Sequence, residues 1–327
     1  MTTQDVFFSV IIPTRNRVAL FKEALGSVLE QSLAQKEVIV VNDGSTEPLL
    51  SEYKQLQSEF PDVQFHFLVH RPNGHGQSYS MNFGASHAKG QYLCFLDDDD
   101  YWNDLHHLER AYKSIINSSV PVDVFYTNQE AYFPDGTQKK PNPWIADVAN
   151  MLGGPKKDDQ GSFHVDTELL LRSKGFAHLN CSIFRRDFYN AIKGMDENIR
   201  YECDRDIYIR SLDQANHILY NPAVVSYHRI PDPKNTSNMS TAITDFQKRL
   251  YQLGVYEKGI LMSKQKLVRR FCQKGKGYQL KYICEALRNN GENALAAQYA
   301  WQALTVKPSF KWLLFSCYLG LKAIFNR

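Results

Sequence analysis

The chain has little of what usually marks redox, cofactor or membrane-spanning proteins. Its six cysteines (94, 181, 203, 272, 284 and 317) contain no C-x-x-C pair and share no regular spacing. In a chain of 327 residues they read as reduced thiols of a cytosolic protein, not as a disulfide framework or a zinc site. No run reaches the roughly 18 uninterrupted apolar residues of a membrane span. The start is polar and passes straight into a strand-like run, so no signal peptide is expected. The net charge of +3 is too small to argue for nucleic acid. There is no G-x-G-x-x-G and no Walker-type phosphate loop, which removes the dinucleotide fingerprint and the P-loop. What remains, 43% hydrophobic and 22% charged residues, is enough to bury a sizeable globular core.

Strand-like and helix-like stretches alternate from residue 7 to about 128. Phe7–Ile12 is a β-prone run ended by Pro13, and Pro13–Arg17 is a polar turn. Val18, Phe21, Leu25 and Val28 then recur at three- and four-residue steps, the spacing of an amphipathic helix. Glu37–Val41 is a second buried strand, closed by Asn42–Ser45, and a helix follows with Pro48 in its first turn. Val63–Val69 is a third strand. A Gly-containing loop and a helix to about Ala88 come next, with Lys89–Gly90 expected to end that helix. Tyr92–Leu96 and Val122–Thr127 complete the set. The alternation predicts a doubly wound, mostly parallel α/β sheet flanked by helices, and such sheets bind ligands at the carboxyl ends of their strands.

Three polar clusters fall at those ends: Pro13–Arg17, Asn42–Ser45 and Asp97–Asp100. Four consecutive carboxylates repel one another, and a hard divalent cation such as Mg²⁺ or Mn²⁺ would relieve them. The alternative for a lone acidic turn is a solvated helix cap, and Asp98 or Asp100 could cap a helix starting near Asn103. Convergence of three clusters on one edge favours a binding site. Residues from about 132 to 175 are irregular and read as a lid or binding loop. A second acidic group, Glu202, Asp204 and Asp206, precedes a short apolar run, and spacing alone does not choose among its members. Asn221–His228 is another strand, ending in a histidine.

From about Asp245 the pattern turns helical and in part strongly basic. Tyr278–Leu287 and Ala294–Leu304 read as an antiparallel pair turned at Asn289–Gly291. The stretch Phe310–Phe325 is apolar, with Lys311 near its start and Lys322 near its end, and too short to span a bilayer. It suits either an interfacial helix, helped by the basic helix before it, or packing on the rest of the chain.

The fragments Ser9–Arg17, Val41–Ser45, Gly76-x-Ser-x-x-x-Asn82, Lys89–Gly90 and Phe95–Trp102 resemble, in order and spacing, the family-2 glycosyltransferases of the GT-A fold. The resemblance covers roughly residues 7–240. It implies a GT-A catalytic domain over 1–240, with a nucleotide-sugar half to about 130 and an acceptor half from about 131, and a helical region over 241–327. It implies a metal-dependent, inverting transfer from a nucleoside-diphosphate sugar, a UDP-sugar by the family's habit, to a hydroxyl of a glycan or lipid-linked acceptor. Bacterial surface-polysaccharide assembly on the cytoplasmic side is the implied setting. Pro13, Thr14, Arg17, Asp43, Asn82, Asp97 and Asp98 would bind the donor. Asp97, Asp99 and His228 would hold Mn²⁺ or Mg²⁺, Asp204 would be the catalytic base, and Glu202 and Asp206 would meet the acceptor. Two departures stand out. Ser80-Met81-Asn82 lacks an arginine that the family often uses towards phosphate, and Cys203-Asp204-Arg205-Asp206 replaces a common Glu-Asp-Trp-Asp. A sugar-phosphate nucleotidyltransferase shares the chemistry but lacks support from any Gly-rich phosphate loop. An inactive sugar-binding module is opposed by the retention of every acid.

Overall fold

The computed structural model describes residues 6–154, 156–232, 234 and 238–325. The chain divides into two compact units, Met1–Asp232 and Pro233–Arg327.

The first unit begins with β1 (Phe8–Thr14), α1 (Val18–Leu29), β2 (Lys36–Asn42), α2 (Leu49–Glu59), β3 (Gln64–Phe67), α3 (Gln77–His87) and β4 (Tyr92–Phe95). A two-residue strand β5 (Tyr101–Trp102), α4 (His107–Ile116) and β6 (Val124–Tyr132) follow. The segment expected to be irregular holds a 3-10 turn (Ile145–Met151), β7 (Phe163–Val165) and α5 (Thr167–Arg172). A second 3-10 turn (Leu179–Cys181) enters β8 (Ser182–Arg185), and α6 (Arg186–Ala191), α7 (Cys203–Gln214) and β9 (Ile218–Arg229) close the unit.

The strands form one sheet in the order β3-β2-β1-β4-β8-β6-β9-β5, with β7 also on β9. β1 pairs in parallel with β2 and β4, β2 with β3, and β6 with β9. β8 runs antiparallel between β4 and β6, so the sheet is mixed but mostly parallel. An inverted strand begins where its neighbours end. The residues just before β8 therefore arrive at the same edge as the ends of β1, β2 and β4.

Strand alternation sorts the core into two layers. Phe8, Val10 and Ile12 of β1 pack with Val18, Phe21 and Leu25 of α1. Ile11 packs on the other face with Met81 and Ala85 of α3. β1 does not stop at Ile12: Pro13 lies inside it, opposite Val41. The proline is tolerated because its missing N–H falls on the β4 side, where pairing has already ended at Ile11 and Phe95. Gly90 does not end α3 as a left-handed C′ residue either. The helix finishes at His87, with Ala88 in extended conformation. Gly90 is needed for space, since a Cβ there would sit 2.6 Å from the Ser9 backbone nitrogen.

The second unit contains α8 (Met239–Ala242), α9 (Asp245–Met262), α10 (Lys266–Asn289), α11 (Asn293–Val306) and α12 (Phe310–Phe325). Thr244 and Gln247 make a capping box that starts α9. Gly291 takes a positive φ of 85° in the turn between α10 and α11. From α9 onward each helix packs on the next. Ala296, Ala297, Ala300 and Ala303 are the buried face of α11, and such small side chains let its neighbours approach closely.

His107, the first residue of α4, is buried edge-on against Trp102 with ring centroids 4.9 Å apart. Neither ring nitrogen has a hydrogen-bond partner among the described residues. Burial pushes its pKa down to about 3. The ring is thus neutral when folded and charges when unfolded. Because the folded value is the depressed one, stability is lost as pH falls from about 6.5 towards about 3, by up to about 1.4 kcal/mol per pH unit. Urea titrations of the parent and His107→Leu at about pH 7 and about pH 4 test this. The parent is expected to lose more stability than the variant; equal losses would clear His107 of the effect.

Candidate active site

Three turns meet at the carboxyl edge of the sheet. The β1 turn grips the acidic run first. Thr14 Oγ1 donates to Asp98 Oδ2 at 2.7 Å and shares a 2.6 Å hydrogen bond with the Tyr53 hydroxyl. The Arg15 N–H adds a 3.3 Å bond to the same oxygen. Arg17 Nη1 lies 2.6 Å from Asp99 Oδ2 and 3.2 Å from Asp98 Oδ1. The β2 turn works on a different loop: Asp43 accepts the N–H groups of His75 at 2.7 Å and Gly76 at 2.9 Å. That loop needs its glycines. Gly74 and Gly76 have φ of 63° and 108°, and a Cβ on Gly76 would strike the Arg200 guanidinium.

Asp100 is the most enclosed of the four acids, with no exposed side-chain surface. Its Oδ2 accepts Asn180 Nδ2–H at 2.6 Å and His228 Nδ1–H at 2.8 Å, and its Oδ1 accepts the Arg229 N–H at 2.8 Å. Asn180 also accepts the Asp97 N–H at 3.0 Å through its side chain and the Trp102 indole N–H at 2.9 Å through its carbonyl. Asp97 Oδ1 accepts Gln77 Nε2–H at 2.5 Å. Neither Asp98 nor Asp100 caps a helix. α4 starts at His107, and the carboxylate serving its start is Asp104, which accepts the His106 N–H at 2.9 Å.

Asp204, in the first turn of α7, faces this cluster. His178 Nε2 lies 3.3 Å from Asp204 Oδ2 and 3.8 Å from Asp97 Oδ2. His178 Nδ1 accepts the Asn180 N–H at 3.3 Å, which places the ring hydrogen on Nε2, towards Asp204. Asp204 Oδ1 is buried without a hydrogen-bond partner among the described residues. Trp144 closes over the two histidines edge-on, 4.8 Å from His178 and 5.6 Å from His228 by ring centroids.

The electrostatics are those of a site short of positive charge. Burial, and then the repulsion of Asp204 and its neighbours, holds Asp97 well above the usual carboxylate range. Burial lifts Asp98 to about 7 even with Arg17 beside it, and raises Asp99 too. Burial also raises Asp204, against the pull of His178. Burial keeps His178 below its ordinary value, hence neutral. Burial opposes the charge on Asp100 as well, yet His228 holds that acid below the usual range, and Asp100 in turn raises His228. Ligand atoms of Asp97, Asp99 and Asp100 lie within 4.8 Å of one another, as do those of Asp100, His178 and His228. A divalent cation fits this donor set: it would offset the negative charge that burial and mutual repulsion now disfavour on these carboxylates. His228 also already gives its Nδ1–H to a carboxylate, as metal-bound histidines do.

The structure brings Thr14, Arg17, Asp97, Asp98, Asp99, Asp204 and His228 into one cluster, with Pro13 buried in β1 beneath it. Asn82 is elsewhere employed. Its amide donates to the Met195 carbonyl and Glu197 and accepts from the Tyr189 hydroxyl and the Met195 N–H, all within 2.9 Å, which leaves it nothing to offer a donor. Asp206 is 3% exposed and ion-paired with Arg210 at 2.7 Å, a brace inside the fold in place of the expected acceptor contact. Glu202 pairs with Arg205, whose guanidinium lies over Phe176. Sequence reading missed His178, Asn180, Gln77 and Tyr53. The one signal available for the first two was the short β-prone run Ser182–Phe184, which they precede.

Residues 9–192 match the family described as Glycosyl transferase family 2. Chondroitin synthase of Pasteurella multocida is 26% identical over 229 residues, which are 70% of this chain and 21% of that protein. The chain spans about a fifth of the length of the curated relatives it matches first. Among solved structures, S. aureus TarS in complex with UDP-GlcNAc superimposes with a TM-score of 0.64 at 20% identity, covering 92% of this chain and 82% of that one. The mannosyltransferase PcManGT from Pyrobaculum calidifontis, in complex with GDP-Man and Mn²⁺, gives a TM-score of 0.60 at 18% identity over 98% of this chain and 81% of its own. These likenesses show the GT-A fold. With more than half of its length inside the family match, the chain belongs to glycosyl transferase family 2.

Proposed function

We propose that the chain is a metal-dependent, inverting glycosyltransferase that moves a sugar from a nucleoside-diphosphate sugar to a hydroxyl of a glycan or lipid-linked acceptor. The observation that carries this reading is the carboxylate of Asp204, held by neutral His178, facing an acidic run short of cations. A UDP-sugar is the proposed donor, in keeping with the UDP-GlcNAc bound to TarS, and bacterial surface-glycan assembly is the proposed setting.

Asp97, Asp99 and His228 would hold Mn²⁺ or Mg²⁺. When bound, such an ion supplies a Lewis acid that stabilises negative charge on the departing diphosphate. The remaining work belongs to the chain. Arg17 steadies Asp98 and Asp99, and Thr14 and Tyr53 fix the Asp98 side of the floor. Asn180 sets the backbone at Asp97 and the carboxylate of Asp100 at once. Asp204 takes the proton of the attacking hydroxyl, and burial makes it a stronger base than an ordinary carboxylate. Glu202 and Asp206 are less suited to that task because each already faces an arginine. Asp43 positions the loop at the start of α3, where a nucleoside would lie across the strand ends.

A thermal-shift screen of nucleotide sugars with Mn²⁺ tests the assignment as a whole, since a ligand at a hundred times its Kd should stabilise by about 2.7 kcal/mol. Asp99→Ala is expected to abolish the Mn²⁺-dependent part of UDP binding in calorimetry. Unchanged Mn²⁺-dependent affinity would remove Asp99 from the metal site. Asp204→Asn is expected to keep donor affinity near that of the parent while kcat falls by about 10²–10⁴-fold, the usual worth of a general base. Near-normal turnover by that variant would shift the base to another group.

A further inference from the structure

We propose that the outward face of α12 docks onto an anionic lipid surface. The proposal stands apart from the transfer reaction, and its test does not read activity.

α12 is apolar on two opposite faces. One face is buried: Leu319 and Ser316 have no exposed surface, and the Trp312 indole N–H donates to the Ala300 carbonyl of α11 at 2.9 Å. The other carries Phe310, Leu314, Tyr318, Leu321 and Ile324, which are 76%, 56%, 55%, 58% and 67% exposed. Their steps of four, four, three and three residues place them in one stripe along the helix. A helix that only packed on its neighbours would carry polar groups there. A continuous apolar stripe in solvent marks a surface meant to be covered.

Charge selects the cover. Residues 233–327 hold 16 Lys and Arg against 4 Asp and Glu, and no acid follows Glu292. That is a local net of +12 inside a chain whose total is only +3. Lys311 and Lys322 each stand one position after a stripe residue. A second copy of α12 would offer apolar surface but would set one strongly positive unit against another. An anionic bilayer offers both requirements together: acyl chains for the stripe and headgroups for the lysines. At 16 residues α12 is about 24 Å long by its rise per residue, and no described helix is long and apolar enough to cross a membrane, so it would lie in the interface.

The experiment is co-sedimentation of the full chain with phosphatidylcholine vesicles, with and without about 30% phosphatidylglycerol, at low and high salt. The bound fraction is expected to rise at least about tenfold with the anionic lipid and to fall as salt is raised. Leu314→Glu with Leu321→Glu, both on the exposed stripe, is expected to keep the circular dichroism and melting point of the parent and to abolish sedimentation. Three results would overturn the proposal. The parent could ignore anionic vesicles. The double variant could bind them as the parent does. Or the parent could be a dimer in light scattering that the variant converts to monomer, with no vesicle binding by either, which would assign the stripe to a second copy.

Discussion

A buried carboxylate with no exposed surface, Asp100, holds the site together. An unpaired charge so deep would cost several kcal/mol, and the fold meets that cost with three charge-assisted or backbone hydrogen bonds that tie Asp100 to two other pieces of chain. Asn180 comes from the turn before β8, His228 and the Arg229 N–H from the end of β9, and Asp100 itself from the turn between β4 and β5. None of these pieces is adjacent in sequence. Their common anchor is what gives the edge of the sheet a single geometry. Removing either partner side chain would leave the carboxylate underpaired, so the arrangement is one in which loss of a single group is felt by all three segments.

With Asp100 satisfied, the remaining acids divide into groups of different character. Asp98 is bound to the β1 turn through Thr14, Arg15 and Arg17, and serves as a joint between two strand ends. Burial raises Asp98 all the same, and it raises Asp97, Asp99 and Asp204 as well, with Asp204 adding to the rise at Asp97 and Asp100 to that at Asp99. Four carboxylates in one run thus do three kinds of work. The neutral state of His178 fits the same division: a charged imidazolium there would quench the repulsion, whereas a neutral ring only orients Asp204.

The alternation of strands and helices was legible because parallel strands buried on both faces read as apolar runs, and β1, β2 and β4 are such runs. The acidic group was legible because it broke one of them. β8 was not, since four residues with a charged end carry almost no periodic signal, and an inverted strand has no place in a doubly wound pattern. Missing β8 meant missing His178 and Asn180, whose only claim to the site is that β8 starts where its neighbours stop. Asn82 and Asp206 illustrate the opposite failure. Their residue types and positions suited ligand contact, but their polar atoms were already taken: those of Asn82 by Met195, a tertiary partner that no local pattern announces, and that of Asp206 by Arg210, four residues along α7, a spacing that pairs charges only once the helix is recognised.

Whole-chain charge concealed as much as it disclosed. A net of +3 describes neither part of the molecule, because residues 233–327 contribute +12 and the remainder therefore −9. The negative part includes the acids gathered at the sheet edge, which call for a cation and repel any anionic ligand that arrives without one. The positive part gathers no acid cluster of its own and presents its lysines beside exposed apolar residues. Electrostatic attraction acts over only about a Debye length, roughly 8 Å at physiological salt, so a partner docked on one surface feels the charges near that surface more than the sum. Segment-by-segment charge, not the total, is therefore the quantity that bears on which partners this chain attracts.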